Sequence, residues 1–209
     1  MIAVYIILAL IGLLVFLLLI ALINTLLVKQ EAIPDATNID FSKQEEYGKK
    51  FQEMIKIKTI SYNEETDNKD SFIKLKAKMQ ELFPKVFETM EKQEFIGESL
   101  IMKWQGKSSE KPIVLMSHID VVPADKSTWS MDPFSGKIIG DEIYGRGTLD
   151  TKSTVFAFYQ ACEELLEKGF VPEHDVYLAS STDEETSGFG AGLTVEWLNK
   201  QGVKPYLVI

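Results

Sequence analysis

The first 28 residues constrain most strongly how this chain can fold, because nearly all are apolar and no charged side chain precedes Lys29. A run of this length exceeds the ~20 residues that an α-helix needs to cross a bilayer. It is also longer than the apolar region of a cleavable signal peptide, and it lacks a basic start. Since it has no polar face, a buried core helix is a poor alternative. We therefore predict an uncleaved, single-pass transmembrane anchor at residues 1–28.

The rest of the chain has the composition of one acidic globular domain. Residues 29–40 are polar and contain Pro34, which indicates a linker, and residues 41–209 are long enough to build a real core. The net charge of −9 argues against a nucleic-acid partner. Cys162 is the single cysteine, which excludes an intrachain disulfide and a cysteine-rich metal site. It falls on the apolar side of a helical pattern, so we expect a core residue there and not a nucleophile.

The apolar pattern of the domain alternates between helix and strand. It predicts helices near residues 43–57, 71–92 and 151–169, and a further one within 188–202. Pro84 is expected to kink or split the second of these. Short apolar runs between the later helices predict strands, and Gly140 and Asp141 fall at the turn of a hairpin. This alternation is typical of an α/β sandwich with a largely parallel sheet.

Acidic side chains and a histidine follow three of the predicted apolar segments. His118 and Asp120 follow the strand "IVLM", Asp150 lies between the hairpin and a long helix, and the triplet at residues 183–185 follows "VYLAS". Ligands of α/β sheets collect beyond the carboxyl ends of the strands. We therefore expect these three groups to converge on one point.

Carboxylates that lie close together repel one another, so a cation is expected among them. One imidazole with several oxygen ligands suits Zn²⁺, Mn²⁺ or Co²⁺. A pair of such ions needs a bridging carboxylate, for which Asp150 is the candidate. Asp120 can accept a hydrogen bond from the ring nitrogen of His118 that does not bind metal. Of the two glutamates at 184 and 185, one can bind metal while the other acts as a base. Taken singly, each motif also fits a solvated acidic turn or a helix N-cap.

Four linked motifs together resemble a known family. "SHIDVVP" at 117–123, Trp129 with "DPFSG" at 132–136, "IYGRGTLDTK" at 143–152 and "TDEETSGFGA" at 182–191 have the order and spacing of the dizinc metallopeptidases related to aminoacylase and carboxypeptidase S. They are most similar to the carboxypeptidase S and N-fatty-acyl-amino-acid hydrolase branch, whose members often begin with a signal or membrane anchor. The resemblance implies an α/β three-layer sandwich with a mixed, mostly parallel sheet.

The resemblance also implies a role for each site residue. His118 would bind one metal ion, Asp150 would bridge two and Glu185 would bind the second. Glu184 would be the general base, and Asp120 would orient His118. The two divalent ions would be Zn²⁺, with Co²⁺ or Mn²⁺ as alternatives, and the peptide bond after Asp150 would be cis.

The chain stops at Ile209 inside an apolar run, from which we expect the N-terminal part of a longer catalytic domain. The family supplies two further metal ligands, an acid just after this point and a histidine near the C-terminus. It also has an inserted lid domain that carries dimer contacts and substrate-binding groups. The 209-residue form is therefore expected to be inactive by itself, and a homodimer is expected only through the lid.

The resulting hypothesis is a membrane-anchored amidohydrolase or carboxypeptidase that cleaves N-acyl amino acids or short peptides by metal-activated water. We expect the catalytic domain on the non-cytoplasmic side, with the bilayer and a small substrate as its partners. An aminopeptidase or another deacylase of the same family is an alternative, as is an inactive binding module tethered by its anchor. A serine hydrolase is a poor alternative because Ser180 and Ser181 lack the G-x-S-x-G elbow.

Overall fold

The computed structural model describes residues 1–28, 40–62, 68–95, 98–186 and 188–209. They form two compact units, Met1–Phe41 and Ser42–Ile209. The linker expected at 29–40 lies outside the described residues except for its last residue.

The first unit contains one long helix, α1 at Ile2–Leu27, in which no residue is buried. The helix is long and apolar enough to cross a membrane. Because a signal sequence near an N-terminus meets the same criteria, the helix alone does not separate an anchor from a signal.

The second unit alternates helices and strands, as the sequence pattern predicts. Its helices are α2 at Gln44–Ile55, α3 at Lys69–Leu82, α4 at Pro84–Thr89, α5 at Lys152–Glu167 and α6 at Phe189–Lys200. Its strands are β1 at Glu91–Glu94, β2 at Leu100–Trp104, β3 at Ser108–His118, β4 at Lys137–Ile139, β5 at Glu142–Tyr144, β6 at His174–Ser181 and β7 at Leu207–Val208. Pro84 splits the helix predicted at 71–92, because proline is tolerated in the first turn of a helix but not inside it.

The main sheet has the strand order β1-β2-β6-β3-β7. The pairs β3–β6 and β3–β7 are parallel. The pairs β1–β2 and β2–β6 are antiparallel. A mixed sheet is therefore confirmed, but the expected predominance of parallel pairs is wrong. The short connection between β1 and β2 is the physical reason, since a few residues can join only antiparallel neighbours. A separate antiparallel hairpin is formed by β4 and β5.

Apolar side chains on the two faces of the main sheet pack against different helices. Alternate residues of β2 point to opposite faces, so that Met102 packs with α2–α5 and Ile101 packs with Leu198 of α6. Cys162 belongs to the larger cluster, and burial raises the pKa of its thiol to about 12. Helices thus lie on both faces of the main sheet.

Candidate metal centre

The candidate site lies beyond the carboxyl ends of two neighbouring parallel strands. His118 is the last residue of β3, and it is paired in register with Ser181, the last residue of β6. The main chain continues from these strands to Asp120 on one side and to the turn that carries Glu184 and Glu185 on the other. Because both strands end at the same edge, the groups that follow them meet there.

Three of the predicted residues come together as a group of possible metal ligands. His118, Asp150 and Glu185 each offer one ligand atom, and these atoms all lie within 4.8 Å of one another. The Nε2 atom of His118 is 3.0 Å from Oδ1 of Asp150. The ring of His118 is buried, whereas the side chain of Asp150 is 78% exposed. The imidazole of His118 therefore forms the buried side of the group, and the carboxylate of Asp150 forms the side open to solvent.

Glu184 lies beside this group and outside it. Its Oε2 atom is 3.7 Å from Nε2 of His118, and its side chain is 58% exposed. Of the two neighbouring glutamates, only Glu185 belongs to the group of three possible ligands among the described residues. This arrangement distinguishes the two carboxylates, which the chemistry of the sequence alone left equivalent.

Asp120 is the fully buried centre of the hydrogen bonds behind the site. Its Oδ1 atom is 3.2 Å from Nδ1 of His118, the ring nitrogen that faces away from Asp150. Its Oδ2 atom accepts hydrogen bonds from the hydroxyl of Ser61 at 2.7 Å and from the backbone N–H of Glu185 at 3.0 Å. Asp120 therefore fixes both the imidazole and the turn that carries the glutamates.

The charges around His118 favour its protonated form in the protein without metal. Burial by itself lowers the pKa of His118, but the hydrogen bond and charge of Asp120 and the hydrogen bond to Asp150 raise it to about 9. Burial and the negative charge of Asp150 raise the pKa of Glu185. Burial opposes ionisation of Asp120, yet its hydrogen bonds to His118 and Ser61 keep the pKa of Asp120 below the usual range. A positive charge is thus favoured at this point, and a proton on His118 supplies part of it.

The residues present fit a divalent cation. An imidazole nitrogen and two carboxylate oxygens within 4.8 Å form a donor set that suits Zn²⁺, Co²⁺ or Mn²⁺. The free ring nitrogen of His118 is held by a carboxylate, as is usual for histidines that bind metal. The peptide bond between Asp150 and Thr151 is cis.

Metal binding is expected to release about one proton from His118 at neutral pH, because the metal-free imidazole has a pKa of about 9. The apparent affinity for Zn²⁺ should therefore rise about tenfold for each pH unit between 7 and 8.5. Calorimetric titrations in buffers of different ionisation enthalpy measure the number of protons released. A pH-independent affinity with no proton release would show that the ion does not displace a proton from this imidazole.

Two residues that support the site have no role assigned by the sequence analysis. Ser61 falls in a segment that reads as a polar loop, yet it is buried and bonded to Asp120. Lys152 belongs to the motif around Asp150, but lysine is ordinarily exposed, so nothing in the pattern indicates that it is fully buried.

Comparisons with known proteins match this chain to peptidases and hydrolases. Residues 114–209 match the family model described as peptidase family M20/M25/M40. The N-fatty-acyl-amino acid synthase/hydrolase of Xenopus tropicalis is 35% identical over 206 residues, which cover 91% of this chain and 40% of that protein. A probable carboxypeptidase S-like protein of Dictyostelium discoideum is 40% identical over 138 residues, covering 63% of this chain and 26% of that protein.

A solved structure also superposes on the chain. It is an M20 family metallo-carboxypeptidase from Sulfolobus solfataricus, which is 25% identical with a TM-score of 0.63 over 78% of this chain and 36% of that one. The chain spans 40% or less of the length of each of these three proteins. From its motifs, its grouped ligands and these matches, the chain carries a domain of the M20/M25/M40 family of peptidases, and its relatives include a carboxypeptidase S-like protein and an N-fatty-acyl-amino acid synthase/hydrolase.

Proposed function

We propose that the complete protein is a membrane-anchored, metal-dependent amidohydrolase that releases an amino acid from N-acyl amino acids or short peptides. One observation carries this proposal. His118, Asp150 and Glu185 form a group of possible ligands, and the carboxylate of Glu184 lies beside the group at 3.7 Å from the imidazole. A set of metal ligands with one adjacent, solvent-accessible carboxylate is the arrangement that metal-assisted hydrolysis requires.

In this proposal the chain's residues hold two divalent cations, for which Zn²⁺ is favoured. His118 would bind one ion, Glu185 would bind the other, and Asp150 would contribute its carboxylate to both. Asp120 keeps Nδ1 of His118 protonated, so that Nε2 is left for the metal. When bound, such ions lower the pKa of water and polarise the scissile carbonyl.

Glu184 is the proposed general base and acid. Its carboxylate takes a proton from the attacking water and then gives that proton to the nitrogen of the departing amine. The position of Glu184 supports this role, because its backbone N–H lies 3.3 Å from Oδ1 of Asp120 while its side chain extends into solvent. The same buried carboxylate therefore positions both the proposed base and the imidazole.

The substrate class rests on the relatives. The matched proteins of Xenopus tropicalis and Dictyostelium discoideum are named for N-fatty-acyl amino acids and for carboxypeptidase S. Both names describe a scissile amide next to an amino acid with a free carboxylate. The membrane anchor rests on α1, whose 26 residues are nearly all apolar and are unburied. We propose that the catalytic domain lies on the non-cytoplasmic side.

A substrate panel tests the proposed function. The complete protein is incubated with N-acyl amino acids, with acylated peptides that end in a free carboxylate, and with the same compounds capped as amides. Release of free amino acids is measured with and without a chelator. We expect hydrolysis of the compounds with a free carboxylate, loss of activity with the chelator and recovery when Zn²⁺ is added.

Two other outcomes would favour the alternatives. A requirement for a free amino group in the substrate would indicate an aminopeptidase of the same family. Stoichiometric metal binding without hydrolysis of any compound in the panel would indicate a tethered binding module.

A further inference from the structure

Lys152 is a buried cation that the proposed chemistry does not use. It is the first residue of α5, two positions after Asp150, and its side chain is fully buried. Its Nζ atom donates hydrogen bonds to the backbone carbonyl oxygens of Met54 at 3.1 Å and Ile57 at 2.8 Å. These carbonyls lie at the C-terminal end of α2, where a helix leaves acceptors without partners in the helix itself. Lys152 therefore joins the turn of Asp150 to the end of α2.

The segment that follows α2 also holds the other half of the site. The hydroxyl of Thr59 donates to the carbonyl oxygen of Ile119 at 2.6 Å, and the hydroxyl of Ser61 donates to Asp120 at 2.7 Å. Backbone hydrogen bonds from Val121 to Thr59 and from Ser61 to Val121 pair this segment with the residues after β3. The same stretch of chain thus touches Asp120 through Ser61 and the turn of Asp150 through Lys152.

Two hydrogen bonds to backbone carbonyl oxygens hold Lys152 at this junction. Among the ion pairs found in the described parts of the chain, none includes Lys152, although burying an ammonium group without a partner is costly. Burial lowers the pKa of Lys152 to about 7, and the negative charge of Asp120 opposes that effect. Gly147 allows the backbone of its turn to lie close to Val121 and Lys152. A Cβ atom at this position would lie 2.6 Å from a methyl group of Val121 and 3.5 Å from Cδ of Lys152.

We propose that Lys152 is a positioning residue of the metal site. The hydrogen bonds of its Nζ atom tie the Asp150 turn to the segment that carries Ser61. In this way it sets where the carboxylate of Asp150 lies relative to the imidazole of His118. The inference rests on the proposed function, since it takes these two residues to be metal ligands.

The test compares Lys152→Met with a matched control, Lys76→Met, in the complete protein purified in detergent. Lys76 is a second buried lysine, but it pairs with Glu98 and Glu94, which are not part of the candidate site. Two properties are measured: the affinity for Co²⁺, and the visible absorption spectrum of the bound ion, which reports the geometry of its ligands. Circular dichroism and the thermal midpoint monitor the fold.

Lys152→Met is expected to bind Co²⁺ about 10- to 100-fold more weakly than the wild type, as is usual when a group that orients metal ligands is removed. Its Co²⁺ spectrum should change, whereas Lys76→Met should keep both the affinity and the spectrum of the wild type. Lys152→Arg, which keeps the charge and the donors, should bind more tightly than Lys152→Met. Equal affinity and an unchanged spectrum in Lys152→Met would overturn the inference while leaving the metal site in place.

If Lys152→Met does not fold, Lys152→Gln replaces it, because glutamine keeps a hydrogen-bond donor and removes the charge. The expectation is then weaker binding by Lys152→Gln than by Lys152→Arg, and equal binding by the two would overturn the inference. A complete wild-type protein that binds no Co²⁺ would overturn the proposed metal site itself, and this inference with it.

Discussion

Replacing Glu184 by glutamine is expected to abolish turnover while leaving the metal content of the protein unchanged. The amide cannot take a proton from water, and a positioned general base contributes about 10²–10⁴-fold to a rate. We therefore expect kcat for an N-acyl amino acid to fall by at least about 10²-fold. Glu184 lies outside the group of possible ligands formed by His118, Asp150 and Glu185, so the metal should stay bound. The measurements are the steady-state kinetics of the complete protein and its metal content by mass spectrometry.

The matched control is Glu196→Gln, since Glu196 is an exposed glutamate whose partner is Lys200 on the same helix. That variant should keep both activity and metal. Unchanged activity in Glu184→Gln would contradict the assignment of the base. Loss of metal together with activity would instead place Glu184 among the ligands.

Replacing Asp150 by asparagine has the second large expected effect, which is loss of bound metal. Asp150 is 3.0 Å from the imidazole of His118 and belongs to the group of ligands, and in our account it is shared by both ions. Asparagine is nearly the same size but carries no charge, so the change removes an anionic ligand and little else. Metal content after dialysis against a weak chelator should fall to the background level, and activity should fall with it.

Asp141→Asn is the control for this variant, because Asp141 lies in the turn between β4 and β5 and contacts Gln44. Its metal content should match that of the wild type. Full metal occupancy in Asp150→Asn would show that this carboxylate does not bridge the ions.

The positions of four candidate residues at one edge of the sheet could be predicted because each of them comes at or after the end of an apolar run. His118 is the last residue of β3 and Asp120 follows it, whereas Glu184 and Glu185 follow β6. Because β3 and β6 are adjacent and parallel, their carboxyl ends lie at the same edge of the sheet. The residues that follow the two strands are therefore close together, whatever the packing of the rest of the domain.

The supporting residues could not be predicted because their roles depend on contacts distant in sequence. Ser61 reaches Asp120 only because the bridge between Ile60 and Val121 brings a polar segment alongside the residues after β3. Lys152 is buried only because the end of α2 offers it two carbonyl oxygens, 95 and 98 positions earlier in the chain. The local sequence pattern around Ser61 and around Lys152 indicates neither contact.

The strand directions were predicted less well for a related reason. Residues 91–94, "EKQE", have no apolar alternation, and the first two of them fall in the helix predicted at 71–92, although these residues form β1 at the edge of the sheet. Edge strands tolerate charged residues because one side of the strand faces solvent. Once β1 is a strand, its short connection to β2 makes the pair antiparallel, and the expected predominance of parallel pairs no longer holds.

The most direct test of the account is an anomalous difference map, measured at the zinc edge from crystals of the protein loaded with Zn²⁺. We expect a peak about 2.0–2.2 Å from Nε2 of His118 and from carboxylate oxygens of Asp150 and Glu185. A map with no peak among these three side chains, or with zinc bound only elsewhere on the protein, would contradict the account.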